Sequence, residues 1–147
     1  MTPQISVIIP VYNGEENIPI SLNSLMEQTF SDFEVVIIDD GSIDSTAKVI
    51  EKYLKNDKRI KYIYQENAGV AMARNKGLEN AVGKYISFLD ADDYYDKTFL
   101  NKMYSKITKS DYDVCYCSYN IITPNKSLKK SSKYNQGNIL VDYILGK

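Results

Sequence analysis

The sequence predicts an α/β fold: a mostly parallel central sheet with helices on both faces. Three observations carry that expectation. Short β-branched runs alternate with longer segments of helical periodicity, which implies βαβ units. Two of the runs, ISVIIPVY and FEVVIID, are almost uninterrupted in apolar residues, as strands buried on both faces are. Polar and acidic residues then gather just past the predicted strand ends, where ligands bind in such sheets.

Each element has its own signal. After the first strand, ISVIIPVY (5–12), the segment EENIPISLNSLMEQ spaces Ile18, Leu22 and Leu25 at helical intervals, with Glu15 and Glu16 placed for a first turn. FEVVIID (33–39) is the second strand. STAKVIEKYLKN follows as a helix with Val49, Ile50, Tyr53 and Leu54 as its apolar stripe, capped by Ser42 or Asp44. IKYIYQ (60–65) alternates with the period of a strand. GVAMARNKGLENAV (69–82) reads as a third helix, stopped near Gly83. KYISFLD is a fourth strand, expected to be central and buried on both faces. KTFLNKMYSKIT is a fourth helix and YDVCYCSYNII (112–122) a fifth strand. One domain, 1–147, is expected, with its core in 1–122. A polar connection, read as a solvated loop or hairpin, and a terminal apolar helix fill 123–147.

Composition removes whole classes of chemistry. The formal net charge is -1, which argues against a basic nucleic-acid surface. No apolar run approaches the ~18 residues of a membrane helix, and the first residues lack the pattern of a signal peptide, so a cytoplasmic protein is expected. Histidine is absent. That excludes Ser-His-Asp and Cys-His nucleophiles and every His-ligated metal. Cys115 and Cys117 read as small buried hydrophobes on one face of a strand, since two thiols alone make no zinc site.

Two acidic clusters remain to be explained. Asp90 and Asp92, with Asp93 adjacent, follow the run YISFL; on an extended segment both would project to one side and converge on a divalent cation. The plainer alternative is an exposed acidic turn. Asp39 and Asp40 precede Gly41 and Ser42. A carboxylate there could accept a base N–H beside a helix N-terminus, or simply make an Asx-turn. Arg74, among small residues, suits a phosphate or a surface salt bridge. Tyr12 could stack on a base.

The ordered set SVIIPVYNGEENI, LNSLMEQTFSDFEVVIIDDGSIDST and ENAGVAMARNKGLENAVGKYISFLDADD resembles the family 2 glycosyltransferases, over nearly the whole chain. The resemblance implies a Rossmann-like GT-A nucleotide-diphospho-sugar transferase fold. It implies that Pro10, Tyr12 and Asp40 line the nucleoside pocket, Asp40 facing the base. Asp90 would face the ribose and Asp92 the metal, Mn²⁺ or Mg²⁺, with both counted as candidate metal ligands. Asn13, Asp39, Gly41, Ser42, Arg74 and Ala91 complete the candidate nucleotide-sugar-binding set, Arg74 towards the diphosphate. The donor implied is UDP-linked, the acceptor a saccharide or lipid-linked molecule, and the anomeric centre is inverted.

The sequence departs from the family in one respect. Members continue well beyond this length and carry a catalytic carboxylate there, often in a Glu-Asp pair. Nothing from Tyr94 onward matches it, Asp111 and Asp113 flanking a predicted strand start. A truncated donor-binding half, with its catalytic base elsewhere, is therefore expected, and the setting implied is cell-surface polysaccharide synthesis. Homodimerisation through 138–145 is expected of an unpartnered helix. Lys126, Lys129, Lys130 and Lys133 offer an alternative as an anionic-membrane patch at the inner face of the membrane. The rival readings are a non-catalytic nucleotide-sugar-binding module, a haloacid-dehalogenase-type phosphatase and a phospho-receiver domain. The phosphatase needs a downstream acidic pair that is lacking, and the receiver leaves IPVYN unexplained.

Overall fold

The computed structural model describes residues 2–109, 112–123 and 126–130. Its main sheet consists of β1 (Ile5–Val11), β2 (Phe33–Asp40), β3 (Ile60–Gln65) and β4 (Tyr85–Phe88), all parallel, in the spatial order β3-β2-β1-β4. The helices α1 (Ile18–Met26), α2 (Thr46–Asn56) and α3 (Val70–Asn80) connect the strands, and α4 (Phe99–Thr108) follows β4. The chain divides into two compact units, one up to Ser105 and one from Lys106.

In the first unit β1 and β2 are buried at every position, which is what their continuous apolar runs require. Alternate residues face opposite layers. Val7, Ile9, Val35 and Ile37 pack with Ile18, Leu22 and Leu25 of α1, Ile50 of α2 and Leu100 of α4. On the other face Ile8, Val36 and Ile38 pack with Ala73 of α3. Each of these Val, Ile and Leu side chains contributes about 1.5–3 kcal/mol by leaving water. The approach of α3 is close: a Cβ on Gly77 would lie 2.3 Å from Ile8 Cγ2.

The expectation that KYISFLD forms a central strand buried on both faces fails. β4 pairs only with β1 among the described residues, and Ile86 and Phe88 are exposed. A local apolar run reports that a strand forms; it carries no information about sheet order, and among the described strands β1 and β2 take the inner places. The fifth strand is also corrected. Strand structure begins only at Tyr119, in β5 (Tyr119–Thr123), which pairs antiparallel with β6 (Lys126–Lys130) in the second unit. Residues 112–118 find no ladder partner there, so β propensity alone does not make them a strand. Cys115 is half-buried and Cys117 exposed, both as free thiols, against the expectation of a buried pair. The connection from 123 thus contains one arm of a hairpin, while 131–147, with the expected terminal helix, lies outside the described residues.

One helix start differs from expectation, and at another the structure decides between two alternatives. Because α1 begins at Ile18, Glu15 and Glu16 precede its first turn. At α2 it is Asp44, not Ser42, that accepts the Thr46 N–H, at 2.9 Å. Gly83 lies beyond the end of α3, and a Cβ there would sit 2.5 Å from Ser6 N. Its N–H donates to Ser6 Oγ at 2.8 Å, and Ser6 donates in turn to Glu34 Oε1 at 2.6 Å. Burial opposes the Glu34 charge, but Lys61, Ser6 and the Val82 N–H donate to it, and its carboxyl is held below the usual range.

Candidate functional site

The C-terminal ends of the strands open onto a cleft of about 450 Å³. Its walls come from three parts of the chain. The end of β1 and the loop after it contribute Pro10, Tyr12 and Asn13; α3 contributes Val70 and Arg74; the turn after β4 contributes Asp90, Ala91 and Asp92. Seven candidate residues far apart in sequence are therefore brought together. Val11, Gly14, Asn17 and Val70 line the same cleft and were not singled out from the sequence. Val70, directly after Gly69 at a helix start, is the one whose position could have been noticed.

Asn13 holds φ 49°, in the left-handed region where Asn is tolerated, and so turns the chain sharply after β1. Its N–H donates to Ser42 Oγ at 2.9 Å, and its Oδ1 accepts the Ile43 N–H at 2.9 Å. Tyr12 is left half exposed at the mouth, a free aromatic surface.

Asp90 and Asp92 do not lie on an extended segment. The Asp93 N–H donates to the Asp90 carbonyl at 3.0 Å and closes a turn, which still presents both carboxylates to the cleft. Arg74 Nη2 donates to Asp90 Oδ1 at 2.7 Å, with both side chains partly exposed. Burial pushes the Asp93 carboxyl up, and the charges of Asp92 and Asp90 push it further. The turn is therefore a locus of excess negative charge. Tyr95, unremarked in the sequence, secures it: its hydroxyl donates to the Phe88 carbonyl at 2.7 Å, lies 2.7 Å from Ser87 Oγ, and its ring stacks on Phe99.

The structure does not bring Asp39, Asp40, Gly41 or Ser42 into the cleft lining. Asp39 is buried; its Oδ1 accepts the Ser42 N–H at 2.8 Å and its Oδ2 the Tyr62 hydroxyl at 2.7 Å. Burial and the Asp39 charge push the Tyr62 hydroxyl well up. Asp40, also buried, accepts from Gln65 Nε2 at 2.7 Å, Ala68 N at 2.9 Å and Gly69 N at 2.8 Å. Burial opposes its charge, but these three donors outweigh it and its carboxyl is lowered. It thereby ties β2 to the loop that leads into α3 and Arg74. Gly41, at φ 81°, passes so close to Asn67 that a Cβ would lie 2.8 Å from its backbone nitrogen.

Among the described residues, no group of three or more His, Cys, Asp or Glu side chains is arranged to hold a metal ion. Asp90 and Asp92 are two hard oxygen donors on one turn. Mg²⁺ and Mn²⁺ are commonly held by one or two carboxylates together with ligand phosphates. The donor set fits a cation shared with a bound diphosphate, rather than one caged by protein alone.

Solved structures of the GT-A glycosyltransferase fold class superpose on this parallel α/β sheet with its acidic turn and its cleft beyond the strand ends, and the protein has that fold. The chain belongs to glycosyltransferase family 2: the model of that family, Glycosyl transferase family 2, matches residues 6–144. It is similar to the glycosyltransferase GlyA of Streptococcus pneumoniae serotype 4, 39% identical over 116 residues, covering 79% of this chain and 17% of GlyA. The crystal structure of S. aureus TarS 1–349 in complex with UDP matches at TM-score 0.68 and 38% identity, over 72% of this chain and 32% of that one. The mannosyltransferase PcManGT from Pyrobaculum calidifontis, in complex with GDP-Man and Mn²⁺, matches at TM-score 0.61 and 27% identity, over 66% and 30%. The chain thus spans well under half the length of these relatives. Among its described residues no helix is long and apolar enough to cross a membrane.

Proposed function

We propose that the cleft binds a nucleotide-diphospho-sugar, UDP-linked, with Mn²⁺ or Mg²⁺. The chain would serve as the donor-binding portion of a glycosyltransferase acting on a saccharide or lipid-linked acceptor with inversion. The observation that carries this reading is the convergence of Tyr12, Arg74, Asp90 and Asp92 on one cleft from three separate parts of the chain. TarS, which was solved with UDP, is the more identical of the two solved relatives and favours the uridine donor; PcManGT, solved with Mn²⁺, favours the metal.

The roles follow from the chemistry of each group. Tyr12 offers an exposed ring for the base to stack on. Asp90 and Asp92 would hold the cation, which when bound neutralises charge on the departing diphosphate. Arg74 is a planar donor suited to phosphate oxygens, and its bond to Asp90 keeps it aimed at the acidic turn. Asp40 sets the loop ahead of α3 and so the position of Arg74. Calorimetric titration of UDP with Mn²⁺, with EDTA and with Asp92→Asn tests the reading. Heat that requires the metal and vanishes in Asp92→Asn is expected; metal-independent binding, or none at all, rules it out.

A further inference from the structure

The loop after β1 and the loop before α2 are bound to each other more densely than two connecting loops need to be. Five hydrogen bonds cross between residues 13–15 and 42–46. Besides the two made by Asn13, the Gly14 N–H donates to Thr46 Oγ1 at 2.8 Å, the Glu15 N–H to Asp44 Oδ2 at 3.1 Å, and the Ser45 N–H to Glu15 Oε2 at 2.7 Å. The exchange is reciprocal: side chains of each loop satisfy backbone N–H groups of the other. Neither loop can shift without breaking bonds made by both, and the buried Gly14 N–H would lose its acceptor. Of the residues joined in this way, only Asn13 and Gly14 line the cleft; Glu15, Ser42, Asp44 and Thr46 stand outside it.

We infer that Glu15, Asp44 and Thr46 are positioning residues for the donor cleft, acting through Tyr12, Asn13 and Gly14. They lock the wall on which the nucleoside rests, so that little ordering remains to be done when the ligand arrives. The inference rests on the donor-binding reading above and deepens it. Asn13 tolerates the left-handed region but is not confined to it, and the clasp holds it there.

The test compares paired substitutions in the 147-residue chain. UDP titration with Mn²⁺ is run on Glu15→Ala, Glu15→Gln, Thr46→Val and Thr46→Ser, and on Glu34→Gln as a destabilised control at the opposite end of the sheet. Glu15 is exposed, so neither of its variants threatens the fold. Loss of one such bond is expected to weaken UDP binding about fivefold in Glu15→Ala and Thr46→Val. Glu15→Gln and Thr46→Ser, which keep the acceptor oxygen, are expected to stay near the wild type. Glu34→Gln should lower the melting temperature and leave the affinity unchanged. Wild-type affinity in both clasp-breaking variants overturns the positioning role alone. So does equal loss in Glu15→Gln, or a loss in Glu34→Gln as large as theirs. If the wild type takes up no UDP with Mn²⁺, the donor reading falls and this role falls with it.

Discussion

Asp39 and Asp40 are neighbours of one chemical kind with different employment. Successive strand residues point to opposite sides, so one carboxylate meets Ser42 and Tyr62 while the other meets the loop at 65–69. Asp40→Asn removes the charge and puts an NH₂ where an oxygen accepts, so at least one of the three donors that meet it loses its bond. A loss of about 1–3 kcal/mol in stability at neutral pH is expected. The pH dependence has a definite sign. The folded carboxyl lies below its ordinary value of 3.8, so its contribution is complete above that value and disappears as pH falls through the folded one. Urea midpoints of wild type and Asp40→Asn should therefore converge below about pH 4; curves that stay parallel throughout would count against the role. At this scale the sequence made the candidates legible as residue types near strand ends. Their partners were not legible, because Gln65 and Gly69 are brought to Asp40 by chain closure across 25 residues or more. The same holds for the two loops joined between 13–15 and 42–46, and for Tyr95, whose hydroxyl finds its acceptor only once the turn at Asp90 has formed.

Elements were legible to the degree that burial is written into their pattern. β1 and β2 are enclosed on both faces, and their almost uninterrupted apolar runs say so. β4 shows a similar run but pairs on one side only among the described strands, since hydrophobicity says nothing about which strand will lie beside which. The packing of α3 was hidden for a related reason: the use of a helical glycine depends on what faces it. Gly77→Ala sets two effects against each other. Helix propensity favours alanine by about 1 kcal/mol. A methyl placed 2.3 Å from Ile8 Cγ2, inside a fully buried layer, forces strain of about 1–3 kcal/mol. The clash should win. A lower melting temperature is expected, with weaker UDP binding as α3 carries Arg74 outward; a raised melting temperature would show that the layer yields.

At the scale of the molecule, polarity is divided between the two ends of the sheet. Glu34 and its donors lock one end, and the other presents the acidic turn, Arg74 and the exposed Tyr12. The fold class was readable from the alternation of strands and helices, and the site's location from the end at which acids collect. The second unit was not readable, because a hairpin of moderate β propensity resembles one more strand of the sheet. If donor binding is the task of this chain, the purified protein should take up UDP with Mn²⁺ yet transfer sugar to saccharide acceptors slowly or not at all, in a radiolabelled-donor assay. Steady turnover would require a catalytic base within these residues. Tyr95 has an effect of another kind. Leu89 N–H donates to the Ile8 carbonyl, so the Phe88 carbonyl faces the side of β4 that no described strand pairs with, and the Tyr95 phenol already donates to it. The phenol works as a doorstop. Any strand that comes to lie along that side meets four residues whose final acceptor is already taken, so the ladder there can extend no further than Phe88 without displacing the phenol.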